Sequence, residues 1–209
     1  MEGQRLTGAA IRAAGLVNAV AGICVGIAYV LHPHAGTPDV IVGGVWFSIH
    51  LLFAVSLLGG VFGAIGIFAR HSPRTRWSGL AGMVLVVTAL ILIFGLNYWE
   101  ALINPVVAAE APAFVETHGA GERIGLVALV FPFSGALFVV GYILLCLDVA
   151  RAETLPRGAA WLTVAGVVVF GAGLSGFLPM IVVQIGSVIF ASGLVWLGLA
   201  LWMSPSTEV

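Results

Sequence analysis

Lysine is absent from this 209-residue chain, which removes the side-chain amine that retinal or pyridoxal would need for a Schiff base. Charge of any kind is scarce: Asp, Glu, Lys and Arg make up 8% of the residues, where an ordinary soluble domain carries roughly 25%. With 61% of the residues hydrophobic, a soluble fold would leave a large apolar surface wet, so a soluble fold is excluded. A net charge of −1 gives no basic footprint for nucleic acid. Cysteine is nearly missing too. Cys24 and Cys146 each lie inside an apolar run. The topology below sets them in opposite halves of a bilayer, beyond disulfide reach, and both read as small buried hydrophobes.

What the chain has instead is long apolar runs. Their spacing predicts six membrane helices at about 13–31, 43–69, 77–103, 123–149, 159–177 and 181–203. The runs are continuous rather than alternating, which excludes a membrane barrel. All eight positive charges are arginines, and seven fall in three short segments: Arg5 and Arg12, then Arg70, Arg74 and Arg76, then Arg151 and Arg157. If those segments are cytoplasmic, both termini are cytoplasmic and only Arg123 lies on the other side. The expected location is a bacterial-type cytoplasmic (inner) membrane. Tryptophan agrees, with Trp46 and Trp99 at an outer belt and Trp77, Trp161 and Trp202 at an inner one. Trp77 to Trp99 is about 33 Å of helix at about 1.5 Å per residue, close to the ~30 Å hydrocarbon slab. Arg5 and Arg12 ahead of Ala13–Leu31 imitate a signal peptide, but the run is too long for one. With the chain starting at Met1, the expectation is that no leader has been removed.

Two turns, 70–76 and 150–158, are short and contain Pro73 and Pro156, as hairpin turns do. The outer connection, 104–122, is long, contains Pro105 and Pro112, and is apolar from Val106 to Val115. It is expected to lie along the outer interface as a cap. Small residues recur four apart at Gly22 and Gly26, Gly59 and Gly63, Gly60 and Ala64, and Ala172 and Gly176. These are expected to let helices of this same chain approach closely. Leu80-Ala81-Gly82-Met83-Val84 echoes Val164-Ala165-Gly166-Val167-Val168 two spans later, as a duplicated hairpin would.

The rare polar residues sort by side. His32, His34, Asp39, Glu100, Asn104, Glu110, Glu116, His118 and Glu122 fall to the outer half, and His71, Asp148 and Glu153 to the inner face, so any chemistry is expected to face outward. Glu100, at the end of span three, costs energy unless it is paired or protonated. Asn97, Glu100 and Asn104 share one helical stripe. His50 is the one histidine well inside a span and could meet Glu100 if their helices pack. Gln184 and Ser187 share a face of span six near the same side and could complete a polar pocket. His32, His34 and His118 are candidate metal ligands, with Asp39 and Glu116 nearby, because imidazole and carboxylate suit zinc, copper or iron.

Sharper motifs fail. A haem held by two histidines would need a partner for His50 at equal depth, and none is present. Gly173-Leu174-Ser175-Gly176 resembles the nucleophile motif of rhomboid intramembrane proteases, but no histidine follows Ser175. No aspartate-rich pair offers magnesium to a diphosphate.

The sequence therefore describes one all-α integral membrane domain over 1–209, a six-helix bundle with an outward-facing polar pocket. The expected function is to bind a membrane lipid or lipophilic small molecule, or to dock as a subunit to another membrane protein. The first alternative is an intramembrane enzyme acting on a lipid or isoprenoid, with Glu100 and His50 or a metal as its catalytic groups; the second is a transporter. No cofactor is specified by any motif.

Overall fold

The computed structural model describes residues 2–34, 36–118 and 125–204, with side chains from residue 8 onward except that of residue 73. Glu122 and Arg123, and the side chain of Arg5, lie outside the described residues. The described chain is helical throughout and contains no strand. Its helices are α1 (Glu2–Leu31), α2 (Pro38–Ile41), α3 (Gly44–His71), α4 (Trp77–Tyr98), α5 (Asn104–Glu110), α6 (Pro112–His118), α7 (Val127–Ala152), α8 (Arg157–Leu174) and α9 (Met180–Trp202). A 3₁₀ turn, Ser72–Arg74, joins α3 to α4, and one π turn, Trp99–Ile103, joins α4 to α5. Six segments are long and apolar enough to cross a membrane, as an integral membrane protein requires: Gly8–Leu31, Gly44–His71, Trp77–Glu110, Val127–Ala152, Arg157–Leu174 and Met180–Trp202.

These six segments form a closed ring in chain order. Each packs on the next, and α9 returns to α1. The α1–α9, α8–α9, α1–α3 and α4–α7 contacts are more extensive than those of α3 with α4 and of α7 with α8. Lipid tails are as apolar as leucine, so helix association in a membrane depends on close packing, and close packing depends on small residues. Gly82 meets the Leu145 backbone across the α4–α7 seam, Gly166 meets Phe190 across α8–α9, and Gly15 meets Gly198 across α1–α9. Thus the echoed glycines, Gly82 and Gly166, each face the membrane helix that follows. Gly22, Gly26, Gly59, Gly60 and Gly63 also face atoms of this chain, as expected. Gly176 does not. It lies beyond the end of α8 with φ of 79°, in the turn before α9.

The middle of the ring is filled by aromatic rings. Phe138 and Tyr142 of α7 meet Phe190 of α9 with centroids 5.4 and 4.9 Å apart, and Phe170 of α8 stacks on Phe190 at 6.1 Å. Tyr29 of α1 packs edge-on to Phe170 at 4.7 Å. Polar groups also sit in the helix seams: Asn18 of α1, for example, is buried against Gly63 and donates to Leu194 O of α9 at 2.8 Å.

Residues 104–110 and 112–118 are helical, so the described part of the outer connection is two short helices rather than a loop. Trp77–Glu110 is one helical path of 34 residues, about 51 Å long at about 1.5 Å per residue, so its last turns stand beyond a ~30 Å slab. The reason it survives Pro105 is local. A proline inside an α-helix clashes with the carbonyl four residues back and removes a donor; here the backbone widens into the π turn, in which Asn104 N–H donates to Trp99 O. Span ends also shift, with the first span starting at Gly8 rather than 13, α7 starting at Val127 rather than 123 and α8 ending at Leu174 rather than 177.

Trp46 is another correction. Only 3% exposed, it is a core residue of the cap and not a belt tryptophan. Trp77, Trp161 and Trp202, by contrast, are 84%, 55% and 42% exposed at the arginine-bearing end. At that end α1 is also tied to the end of α9: Arg12 Nε donates to Trp202 O at 3.0 Å.

The seams predict a sharp contrast between glycines. A Cβ at Gly166 would lie 2.2 Å from Phe190 N, so Gly166→Ala is expected to lower stability in detergent by about 1–3 kcal/mol, the usual cost of overpacking. Gly95 has nothing within 4 Å of the same atom, and Gly95→Ala is expected to leave the thermal midpoint unchanged or raise it.

Candidate functional site beneath the cap

The end opposite the arginines is closed by α2, α5 and α6. A small second core of Ile41, Trp46, Ala108 and Val115 holds them over the start of α3. The fastening follows from Pro105. In the π turn the carbonyl of Glu100 would receive the N–H of residue 105, which proline lacks. The indole of Trp46 supplies the missing donor, with Nε1 2.8 Å from Glu100 O. One side chain of α3 thus completes the backbone of the helix beside it.

Around this bond the structure brings several sequence candidates together. His50 is one turn below Trp46, and its Nδ1 donates to Trp46 O at 2.8 Å, because a carbonyl can only accept. Asn97 Nδ2 donates to His50 O at 3.0 Å, and Asn104 Nδ2 donates to Glu100 Oε2 at 2.8 Å. Asn97 therefore reaches α3, while Asn104 and Glu100 pair with each other along their own helical path. His32 joins from α1, its ring centroid 5.5 Å from Trp46 and 5.6 Å from His50, with Phe53 and Tyr29 continuing the layer below. The set is a packed aromatic and imidazole layer with its amides turned to backbone or carboxylate partners.

Other candidates are placed elsewhere. Gln184 Nε2 donates to Val30 O at 3.2 Å and so ties α9 to α1, while Ser187 Oγ donates to Gln184 O at 2.8 Å within its own helix. His34 is exposed, and His118 stacks on Phe114 at 4.4 Å at the end of α6. His32, His34 and His118 do not come together, and no group of three or more His, Cys, Asp or Glu among the described residues could hold a metal ion. Asp39 stays at the surface of α2, where a hydrogen bond from the Thr37 side chain, helped by the first-turn backbone, lowers its carboxyl below the usual carboxylate range. Ser175 is a helix-end residue whose Oγ donates to Ala172 O at 2.6 Å.

The expectation that any chemistry faces outward placed His71 and Asp148 at the inner face without joining them. At the arginine-bearing end His71 and Asp148 are 0% and 1% exposed, with Nε2 and Oδ2 3.3 Å apart. The signal was legible in part, since both are ionisable residues within a turn of a span end. Their meeting was not, because they are separated by most of two spans of chain. Asn18 was missed for the same reason.

The chain matches no protein-family model, no curated protein and no solved structure.

The Trp46 bond predicts how the cap opens. Trp46→Phe keeps an aromatic ring but removes the indole donor to Glu100 O, at a cost of about 0.5–1.5 kcal/mol for one lost hydrogen bond. Hydrogen exchange of the amides in 104–118 is expected to accelerate in this variant, while those of α8 and α9 stay as protected as in the parent.

Proposed function

We propose that this protein binds a membrane lipid or a lipophilic small molecule, with its arginine-bearing end and both termini in the cytoplasm of a cell whose cytoplasmic membrane it spans. The observation that carries this reading is an open groove of about 700 Å³ between α1 and α9. Ile23, Ile27 and Val30 line one wall and Val188, Val195 and Trp196 the other, with Gly22 and Gly26 letting it cut inward. Ser192 is its one hydroxyl, and that hydroxyl donates to Val188 O inside its own helix. A groove so lined offers a ligand mainly dispersion contact, with the Trp196 indole N–H and the Ser192 oxygen as its polar side-chain groups. Its size falls in the range of ligand sites, about 300–1,000 Å³. A long hydrocarbon tail fits those terms.

The groove supports this reading better than the polar layer beneath the cap supports catalysis. There, Asn97 and Asn104 are engaged within the protein, and His50 is 5% exposed behind Trp46. An enzyme using Glu100 and His50 on a lipid or isoprenoid would have to open that layer first. The transporter reading has least support, because the bundle axis is occupied by the Phe138, Tyr142, Phe170 and Phe190 rings. Docking to another membrane protein would use the same apolar perimeter and compete with the tail.

Mass analysis of protein purified in mild detergent tests the proposal. The parent is expected to retain a lipophile, and Ser192→Trp, which fills the groove, is expected to lose it while keeping the parent's helical content. Retention of the same lipophile by the filled variant, or a parent that carries none after reconstitution in native lipid, overturns the reading.

A further inference from the structure

The buried pair at the arginine-bearing end sits where one helix lacks a cap. α4 begins after Arg76, whose side chain gives the helix no N-terminal hydrogen bond. Asp148, reaching across from α7, takes that place. Its carboxylate accepts from Thr75 Oγ1 at 2.5 Å, from Ser78 Oγ at 3.3 Å and from Arg76 N–H at 3.4 Å. It therefore lies on the positive end of the α4 dipole with hydroxyl and amide donors around it. Gly79 makes the room, since a Cβ there would be 2.1 Å from Oδ2.

His71 completes the arrangement and sets a proton count. Its Nδ1 is 2.6 Å from Ile67 O, and because a carbonyl only accepts, Nδ1 carries a hydrogen. In a neutral ring Nε2 would then hold a lone pair, facing Asp148 Oδ2 at 3.3 Å. A nitrogen lone pair and a carboxylate that close, shut away from water, repel. One further proton on Nε2, a buried atom with no hydrogen-bond partner, turns that contact into attraction between imidazolium and carboxylate.

We infer that His71 and Asp148 form a binding site for a single proton, and that this proton fastens the α3–α4 turn to α7. The other charged side chains described at this end are Arg70, Arg74 and Arg76 on α3 and its turn, Arg151 and Glu153 on α7, Arg157 on α8 and Arg12 on α1. Glu153 is paired with Arg157, and Arg12 is bonded to Trp202 O. Asp148 is thus the counter-ion for the added proton. Deprotonation, not protonation, is what loosens the turn, so the fastening weakens as pH rises.

Nitrogen-15 spectroscopy of histidine-labelled protein in lipid bilayers reads the proton count directly, with the His71 signal assigned through its backbone. The expected result is a ring protonated on both nitrogens that loses the Nε2 proton on alkalinisation, together with faster amide exchange over 72–79 at the same pH. Asp148→Asn is expected to abolish the second proton. A wild-type ring carrying hydrogen on Nδ1 alone at every pH where the protein is folded overturns the inference, whether or not the variant folds. So does a second proton that survives Asp148→Asn.

Discussion

The close approach of helix backbones at positions without a side chain is the constraint on which the rest of this structure depends. In a bilayer, burial of apolar side chains gives helices little reason to prefer one another over lipid, so association rests on contact at short range. Gly82 against Leu145, Gly166 against Phe190 and Gly15 against Gly198 provide it on three seams. The ring closes because α1 and α9 share one of those seams, and the closed ring then fixes which residues meet at its two ends. Only the interior is left for large groups, and four aromatic side chains from α7, α8 and α9 fill it.

Each end is finished by a polar side chain that repairs a helix belonging to another element. At the cap end Pro105 removes a backbone donor and the Trp46 indole supplies one. At the arginine-bearing end α4 lacks a cap and Asp148 provides it. Both repairs follow from one rule: a backbone group shielded from water must find a partner, and where its own helix cannot provide it another element does. The same rule explains why the amides of Asn97, Asn18 and Gln184 point to backbone carbonyls rather than into a cavity. With these groups engaged, the proposed ligand site is the apolar groove between α1 and α9.

How far the residues could be read in advance differed by type. Six long apolar runs, and the outward-facing Trp77, Trp161 and Trp202, were visible because hydropathy and interface preference are properties of short segments. The stripe Asn97, Glu100, Asn104 was visible because a helix has a fixed period. The burial of Trp46 was not, since it depends on a proline two spans away. A long connection with two prolines reads as a loop; here one proline is absorbed by a π turn and the other starts α6. His32, His34 and His118 looked equivalent as imidazoles in outer segments, yet only His32 packs beside His50.

By itself, then, the sequence determined that the chain is helical, that six segments can cross a bilayer, and that its arginines gather in segments joined by pairs of spans. Composition and period are local quantities, and each run carries its own. The tertiary structure alone decided which polar groups are neighbours: Trp46 with Glu100, His50 with Asn97, His71 with Asp148. Those pairings depend on the rotation of each helix about its axis, and that rotation is set by which glycines face which backbone once the ring has closed.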